Sequence, residues 1–323
     1  MSGSREAASE RRVMGLLFVD KPAGITSHDV VSVVRRAARS RRVGHAGTLD
    51  PFATGLLVVA IGQATRLLPY VPGEPKVYEA RIRFGAETNT DDVTGTVQRE
   101  APPPAADAVD AAIVQLTGHL AQVPPAFSAK HVDGQRAYVA ARRGREVALD
   151  PVPVTVHEWS VLARTADRID VRITCAGGTY VRALARDLGR LSGSAAHCET
   201  LRRLASGDAH VREAVTLDRL DPGSIADRRV PMCSPLTMLG HLAHERLDGE
   251  GLRALSYGRA IPAHVTGPCA VLLSGDDVVG VADRITDAEG VDRWQPRVVL
   301  LDSAAAARSE ERRVGKECSL PCR

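Results

Sequence analysis

No stretch of this sequence stays apolar for the roughly 20 residues that a membrane-spanning helix needs, which argues against a helical membrane protein. The opening MSGSREAASERR contains no apolar run of the secretory kind. It reads as a disordered tail over 1–13, with Met14 a candidate start. The six cysteines (Cys175, Cys198, Cys233, Cys269, Cys318 and Cys322) include no CxxC pair, and no second Cys/His pair completes a zinc site. Free thiols in a reducing cytoplasm are the simplest expectation. Charge of one sign is also scarce. With 42 Lys and Arg against 39 Asp and Glu, the net charge of +3 is too small to announce a polyanion partner. No internal repeat is visible.

Charge distribution says more than the total. Arg35, Arg36, Arg39, Arg41 and Arg42 form one cluster, and Arg136, Arg142, Arg143 and Arg145 another. Arg182, Arg186, Arg190, Arg202 and Arg203 form a third. Any one of these is ordinarily a solvated face. Three together favour a polyanion, because the planar guanidinium binds phosphate bidentately.

A chain of 323 residues is comfortable for two domains. GLLFVD (15–20) reads as a buried strand. Thr26 and Asp29 then form an acidic version of a capping box ahead of the apolar run Val30, Val31, Val33, Val34. The segment RRVGHAGTLDPFATG is punctuated by glycine and is expected to be irregular. LLVVAI (56–61) follows as a second buried strand. Residues 77–84 alternate, with Tyr78, Ala80, Ile82 and Phe84 on one face. A helix is expected over 107–117 and a strand through Ile169, Val171, Ile173 and Cys175. An amphipathic helix follows, with Val181, Leu184, Leu188 and Leu191 as its apolar stripe. Beyond about 245 the texture becomes short strands, including a hairpin of CAVLL (269–273) and VVGVA (278–282). Residues 304–323 have no periodicity and read as a non-native tail.

The densest candidate for chemistry is GHAGTLDPFATG (44–55). Its glycines permit close backbone approach, and Asp50 is biased toward extended backbone by Pro51. Taken alone, an Asp-Pro in a loop is usually a turn, and a lone His45 is usually structural.

GHAGTLDPFATGLL resembles the catalytic-aspartate motif of the TruB family of tRNA pseudouridine synthases. The resemblance continues through VDKPAGITSHDVV (19–31), KVYEARIRFGAETNTDDVTG (76–95), QVPPAFSAKHVDGQRAY (122–138), GGTYVRALARDLG (177–189) and LRRLASG (201–207), all in family order. Phe52 stands where leucine is the commoner family residue. The resemblance implies an α+β fold: a mixed, largely antiparallel sheet in the catalytic domain (14–245), then a small β-rich PUA-like RNA-binding domain (246–303). It implies isomerisation of uridine-55 in the T-arm loop of tRNA, with base flipping and no metal, nucleotide or organic cofactor.

By the same resemblance Asp50 is the nucleophile and Arg182 pairs with it. Tyr78 stacks on the target base and reaches the reacting centre. Tyr180 and Leu201 wall the uracil pocket, and His45 fills the space the base leaves. Lys21 and Pro22 brace the loop, Lys21 as a structural ion-pair partner rather than a catalytic group. The insertion at 124–150, with Lys130, Arg136, Tyr138, Arg142, Arg143 and Arg145, is expected to fold over the T arm. The partner is tRNA, with no membrane and no obligate protein; a cytoplasmic monomer is the expectation. Two alternatives stay open: a guide-RNA-dependent synthase subunit, and a non-catalytic RNA-binding or RNA-folding protein. A two-carboxylate glycosidase needs a second acid across the bond, and neither Asp91-Asp92 nor Asp187 is placed by sequence to supply it.

Overall fold

The computed structural model describes residues 13–127 and 149–301, together with the backbone of two short strands, His131–Val132 and Gln135–Arg136. The tails at 1–12 and 302–323, and the side chains of Lys130, Arg136, Tyr138, Arg142, Arg143 and Arg145, lie outside the described residues.

A ten-stranded sheet dominates the first 216 residues. Its main path runs Val215–Thr216, Gly15–Lys21, Thr54–Ile61, Ala196–Ser206, Lys76–Phe84, Arg168–Cys175, Val152–Arg164, Gly118–Gln122. Only two neighbouring pairs are parallel, Gly15–Lys21 with Val215–Thr216 and Thr54–Ile61 with Ala196–Ser206. The sheet is therefore mixed and largely antiparallel. Alternation explains Lys76–Phe84: Tyr78, Ala80, Ile82 and Phe84 are buried, whereas Arg81 and Arg83 face solvent. The buried face packs under the helix Val181–Leu191 with Leu184 and Leu188. Leu191 departs from the expected stripe and is exposed, because it is the helix's last residue and has no element above it.

The helix Ser27–Ala37 starts at the expected capping box. Thr26 Oγ1 accepts from Asp29 N at 3.1 Å, and Thr26 N donates to Asp29 Oδ2 at 2.8 Å. The glycine-rich stretch differs from expectation. Val43–Ala46, including His45, is a short strand antiparallel to Thr54–Ile61. A backbone partner in register was enough to make Gly44 extended, which local composition does not reveal.

A second sheet of five strands starts at Ala243, close to the expected change near 245. Its order is Ala243–Arg246, Cys269–Ser274, Asp277–Thr286, Asp292–Val299, Ile261–Pro262. The expected 269–282 hairpin is its centre. Val271, Leu273, Val281 and Val298 share one apolar cluster with Leu16, Phe18, Leu56 and Val58 of the large sheet. Arg66 Nη1 also donates to Val299 O at 2.6 Å. One face of Thr54–Ile61, the strand that follows the Asp50 loop, is thus covered by the C-terminal sheet.

Inside that second sheet, buried Glu245 accepts from Trp294 Nε1 at 2.8 Å, His264 N at 2.8 Å, His264 Nδ1 at 3.0 Å and Val265 N at 3.3 Å. Burial opposes its charge, but the hydrogen bonds from His264, Trp294 and Val265 outweigh burial and hold the carboxyl below its usual range. A lowered native value means the stabilisation is present above the unfolded-state pKa and is lost as pH falls through the native one. Glu245→Ala strands the buried indole N–H and should cost about 1–3 kcal/mol. Urea unfolding followed by Trp fluorescence checks this, and the deficit against wild type should shrink on acidification.

Candidate active site

Asp50 is held by its neighbours before any functional partner is considered. Leu49 N donates to Ser27 Oγ at 2.9 Å, and the same hydroxyl donates to Leu49 O at 3.2 Å. Gly24 N donates to Pro51 O at 2.8 Å, and Ala53 N to Asp50 O at 3.1 Å. Lys21, fully buried, donates from Nζ to Pro22 O (2.9 Å), Ile25 O (2.8 Å) and Pro51 O (3.3 Å). It braces the loop as expected, but through carbonyls rather than an ion pair. Burial lowers its pKa to about 8, Asp50 pulling upward and Arg203 downward.

The carboxylate meets Arg182, which rises from the first turn of Val181–Leu191. Arg182 Nε donates to Asp50 Oδ2 at 2.8 Å and Nη2 to Oδ1 at 2.9 Å, a two-pronged pair. The remaining guanidinium hydrogens are also used. Nη1 donates to Thr90 O at 2.8 Å and lies 3.5 Å from Asp92 Oδ2; Nη2 donates to Phe127 O at 3.0 Å. The Arg182 side chain is 4% exposed and that of Asp50 34%. The cation is therefore sealed beneath a carboxylate that solvent, or a substrate, can reach.

Asp92, buried beside this pair, accepts on Oδ1 from Thr90 Oγ1, Thr94 N and Thr94 Oγ1 at 2.8, 2.9 and 2.6 Å. Asp91, at a left-handed φ of 58°, pairs with Arg186 at 2.8 Å. Burial pushes Asp91 up to about 6, against the pull of Arg186 and Arg182. Arg186 also binds Asp187, and Arg190 binds Glu87. The third arginine cluster therefore differs from expectation. Arg182, Arg186 and Arg190 face the acids of the 87–92 loop, and Arg202 pairs with Asp20 at 2.7 Å, so these four are tied to the protein's own acids rather than forming a phosphate surface. The same pairings occupy Asp91, Asp92 and Asp187, which disfavours a two-carboxylate glycosidase.

Tyr78 is buried on the strand beside this loop, opposite Arg203 in the register. Burial raises its phenol above the usual range, the Arg203 guanidinium working against that. Leu201 joins Leu49, Ala53 and Tyr78 in one apolar cluster, with Phe52 packed against it. Tyr180 precedes the arginine helix, and its backbone is clamped by Gln122: Tyr180 N donates to Oε1 at 2.8 Å, and Nε2 donates to Tyr180 O at 3.1 Å. His45 is half-buried, with Nδ1 lacking a partner. Burial, then Arg203 and His28, lowers its pKa, which favours the neutral ring.

Sequence reasoning missed Asp92, Gln122 and Arg203. Asp92 and Gln122 stand inside motifs already singled out, but their contacts cross 90 and 58 positions of chain and leave no local signature.

The mixed sheet is a pseudouridine synthase fold, and on it a partly exposed aspartate is locked to a helix arginine. A chain in an H/ACA RNP bound to a substrate RNA containing 2′-deoxyuridine has this fold at 20% identity and a TM-score of 0.67, covering 90% of this chain and 86% of that one. A chain of a Cbf5–Nop10–Gar1 complex is similar, at 20% identity and a TM-score of 0.68, over 91% and 87% of the two chains.

Residues 35–181 match the TruB family pseudouridylate synthase (N terminal domain). tRNA pseudouridine synthase B of Thermobifida fusca (strain YX) is 43% identical over 302 residues, 90% of this chain and 99% of that protein. Its counterpart in Arthrobacter sp. (strain FB24) is 48% identical over 257 residues, 77% and 82% of the two. The chain belongs to the TruB family and is a pseudouridine synthase, an isomerase.

The close approach that assembles this site runs through Gly55. Its φ is +99°, and a Cβ there would lie 2.2 Å from Arg203 O. Gly24, at φ +86°, has nothing within 4 Å. Gly24→Ala should therefore cost only the backbone strain, about 1–2 kcal/mol. Gly55→Ala must also displace a strand and should exceed about 3 kcal/mol, in the tail of single-substitution effects. Paired urea titrations of the two variants measure the difference.

Proposed function

We propose that this chain converts uridine-55 in the T-arm loop of free tRNA to pseudouridine, with Asp50 as the nucleophile. The observation that carries the reading is the partly exposed Asp50 carboxylate, aimed by a buried and fully bonded Arg182 beside Tyr78 and Leu201. The Thermobifida fusca relative named tRNA pseudouridine synthase B matches over 99% of its length, which supports tRNA as the substrate.

In the reaction the bond between ribose C1′ and uracil N1 breaks, and C1′ rejoins at C5. N1 gains a proton and C5 loses one, so no atom is added overall. Asp50 acts at the reacting nucleotide, and Arg182 holds both carboxylate oxygens so that little reorientation is needed. The target base leaves its stack at a cost of a few kcal/mol. Stacking on Tyr78, worth about 1–3 kcal/mol, offsets much of this. Leu201 and Tyr180 wall the uracil, and neutral His45 fills the gap left in the RNA. The 124–150 insertion, through Lys130, Arg142 and Arg143, covers the T arm, and the C-terminal sheet acts as a PUA-like RNA-binding module. The enzyme works in the cytoplasm as a monomer without guide RNA or obligate protein.

Asp50→Asn preserves shape and should still bind tRNA while turnover falls by roughly 10⁴-fold or more. Arg182→Ala should lower single-turnover rate by roughly 100-fold with far less effect on affinity. Pseudouridine mapping on a protein-free tRNA transcript reads both. Conversion that requires added proteins or guide RNA would transfer the assignment to the guide-dependent branch, and full activity of Asp50→Asn would end it.

A further inference from the structure

Next to the Asp50–Arg182 pair lies positive charge that the protein's own acids do not balance. Arg203 is 1% exposed, yet it makes no ion pair among the described residues. Its Nε donates to Leu56 O at 2.7 Å and its Nη2 to Gly47 O at 3.0 Å, both backbone carbonyls. Lys76 starts the Tyr78 strand and, by the two-residue period, shares its face. The Lys76 ammonium has neither a hydrogen bond nor an ion pair among the described residues. Buried Lys21 donates only to carbonyls. Asp50 and Asp29 act on Lys21 and Glu74 on Lys76 only from beyond ion-pair distance, and Asp50 is already bound by Arg182.

Arg203 and Lys76 converge on a single point. The position a Cβ would take on Gly47 is 3.3 Å from Arg203 Nη1 and 3.7 Å from Lys76 Nζ. Gly47 itself is exposed and Lys76 is half-buried, so the chain beside the buried Arg203 guanidinium carries no side chain at this point, three residues from Asp50. Collecting cations in a low-dielectric site costs several kcal/mol per ion when unpaired. An anion arriving there is correspondingly favoured.

We infer that Lys76 and Arg203, across the gap at Gly47, bind a backbone phosphodiester flanking the extruded uridine. The inference rests on the pseudouridine synthase reading of Asp50. It adds a grip on the strand: a nucleotide swung about its backbone needs its phosphate anchored for the base to stay in the pocket. Lys76 is here a substrate-binding residue, whereas Arg203 also ties the Gly47 loop to the sheet.

The test uses T-arm hairpins carrying a neutral methylphosphonate on either the 5′ or the 3′ side of the target uridine. All of them, including the control, are 2′-O-methylated on the nucleoside preceding each linkage. Wild type should bind one methylphosphonate hairpin about tenfold more weakly than the control, and Lys76→Met should bind the control about tenfold more weakly with a salt slope reduced by roughly 0.7–0.9. On the affected methylphosphonate hairpin the two proteins should bind alike, and Lys76→Arg should restore most of the loss on the control.

Wild type indifferent to both methylphosphonates overturns the inference. So does a Lys76→Met loss of equal size on all three RNAs. Conversion of an unmodified hairpin by wild type is scored separately, so failure of the enzymatic reading is distinguished from failure of the phosphate site. Arg203 is left unsubstituted because its backbone bonds make a folding defect the expected result.

Discussion

The pair formed by Asp50 and Arg182 organises the molecule. A buried guanidinium is tolerable only when every donor is satisfied, and the fold satisfies this one from three segments. Asp50 comes from the aspartate loop, Thr90 and Asp92 from the acidic loop, and Phe127 from the segment leading into the insertion. Removing one partner of a buried pair of this type costs about 3–5 kcal/mol. The acidic loop, the arginine helix and the aspartate loop are consequently held as one unit.

The neighbouring charges follow from the same constraint. Arg186 and Arg190 continue the inward row at one-turn intervals, each answered by an acid of the 87–92 loop. This ladder fixes the helix that carries Arg182 along its whole length, so the angle at which the guanidinium meets Asp50 is set by several contacts. On the other side, Lys21 and Ser27 pin the backbone on either side of the aspartate. The Asp50 carboxylate is thus stiff although it sits on a loop. Rigidity of this kind reduces the reorganisation a reaction must supply.

Balanced and unbalanced charge separate scaffold from substrate surface. Where an acid stands opposite each arginine, the charges hold the protein together. Where Arg203, Lys76 and Lys21 gather without a directly paired acid among the described residues, the inferred partner is a phosphate of the RNA. The arrangement also shows how a protein with a net charge of only +3 can hold a locally positive site: arginines such as Arg182, Arg186, Arg190 and Arg202 are matched by its own acids.

Much of the architecture was legible from residue order. Period-two alternation marked the Lys76–Phe84 strand, and the Thr26–Asp29 spacing marked the start of Ser27–Ala37. The motif blocks pointed to Asp50, Arg182, Tyr78 and Leu201, because these signals lie within a few residues of chain or in a family pattern. Tertiary structure alone decided which arginines face inward, since a helix of repeated arginines reads the same whether its partners are acids or phosphates. It also decided that Gly44 and His45 join a strand, that Gln122 clamps Tyr180, and that Gly55 must be bare for Arg203 to pass. Each of these depends on a partner far away in sequence, and a contact between distant segments exists only once the sheet has closed.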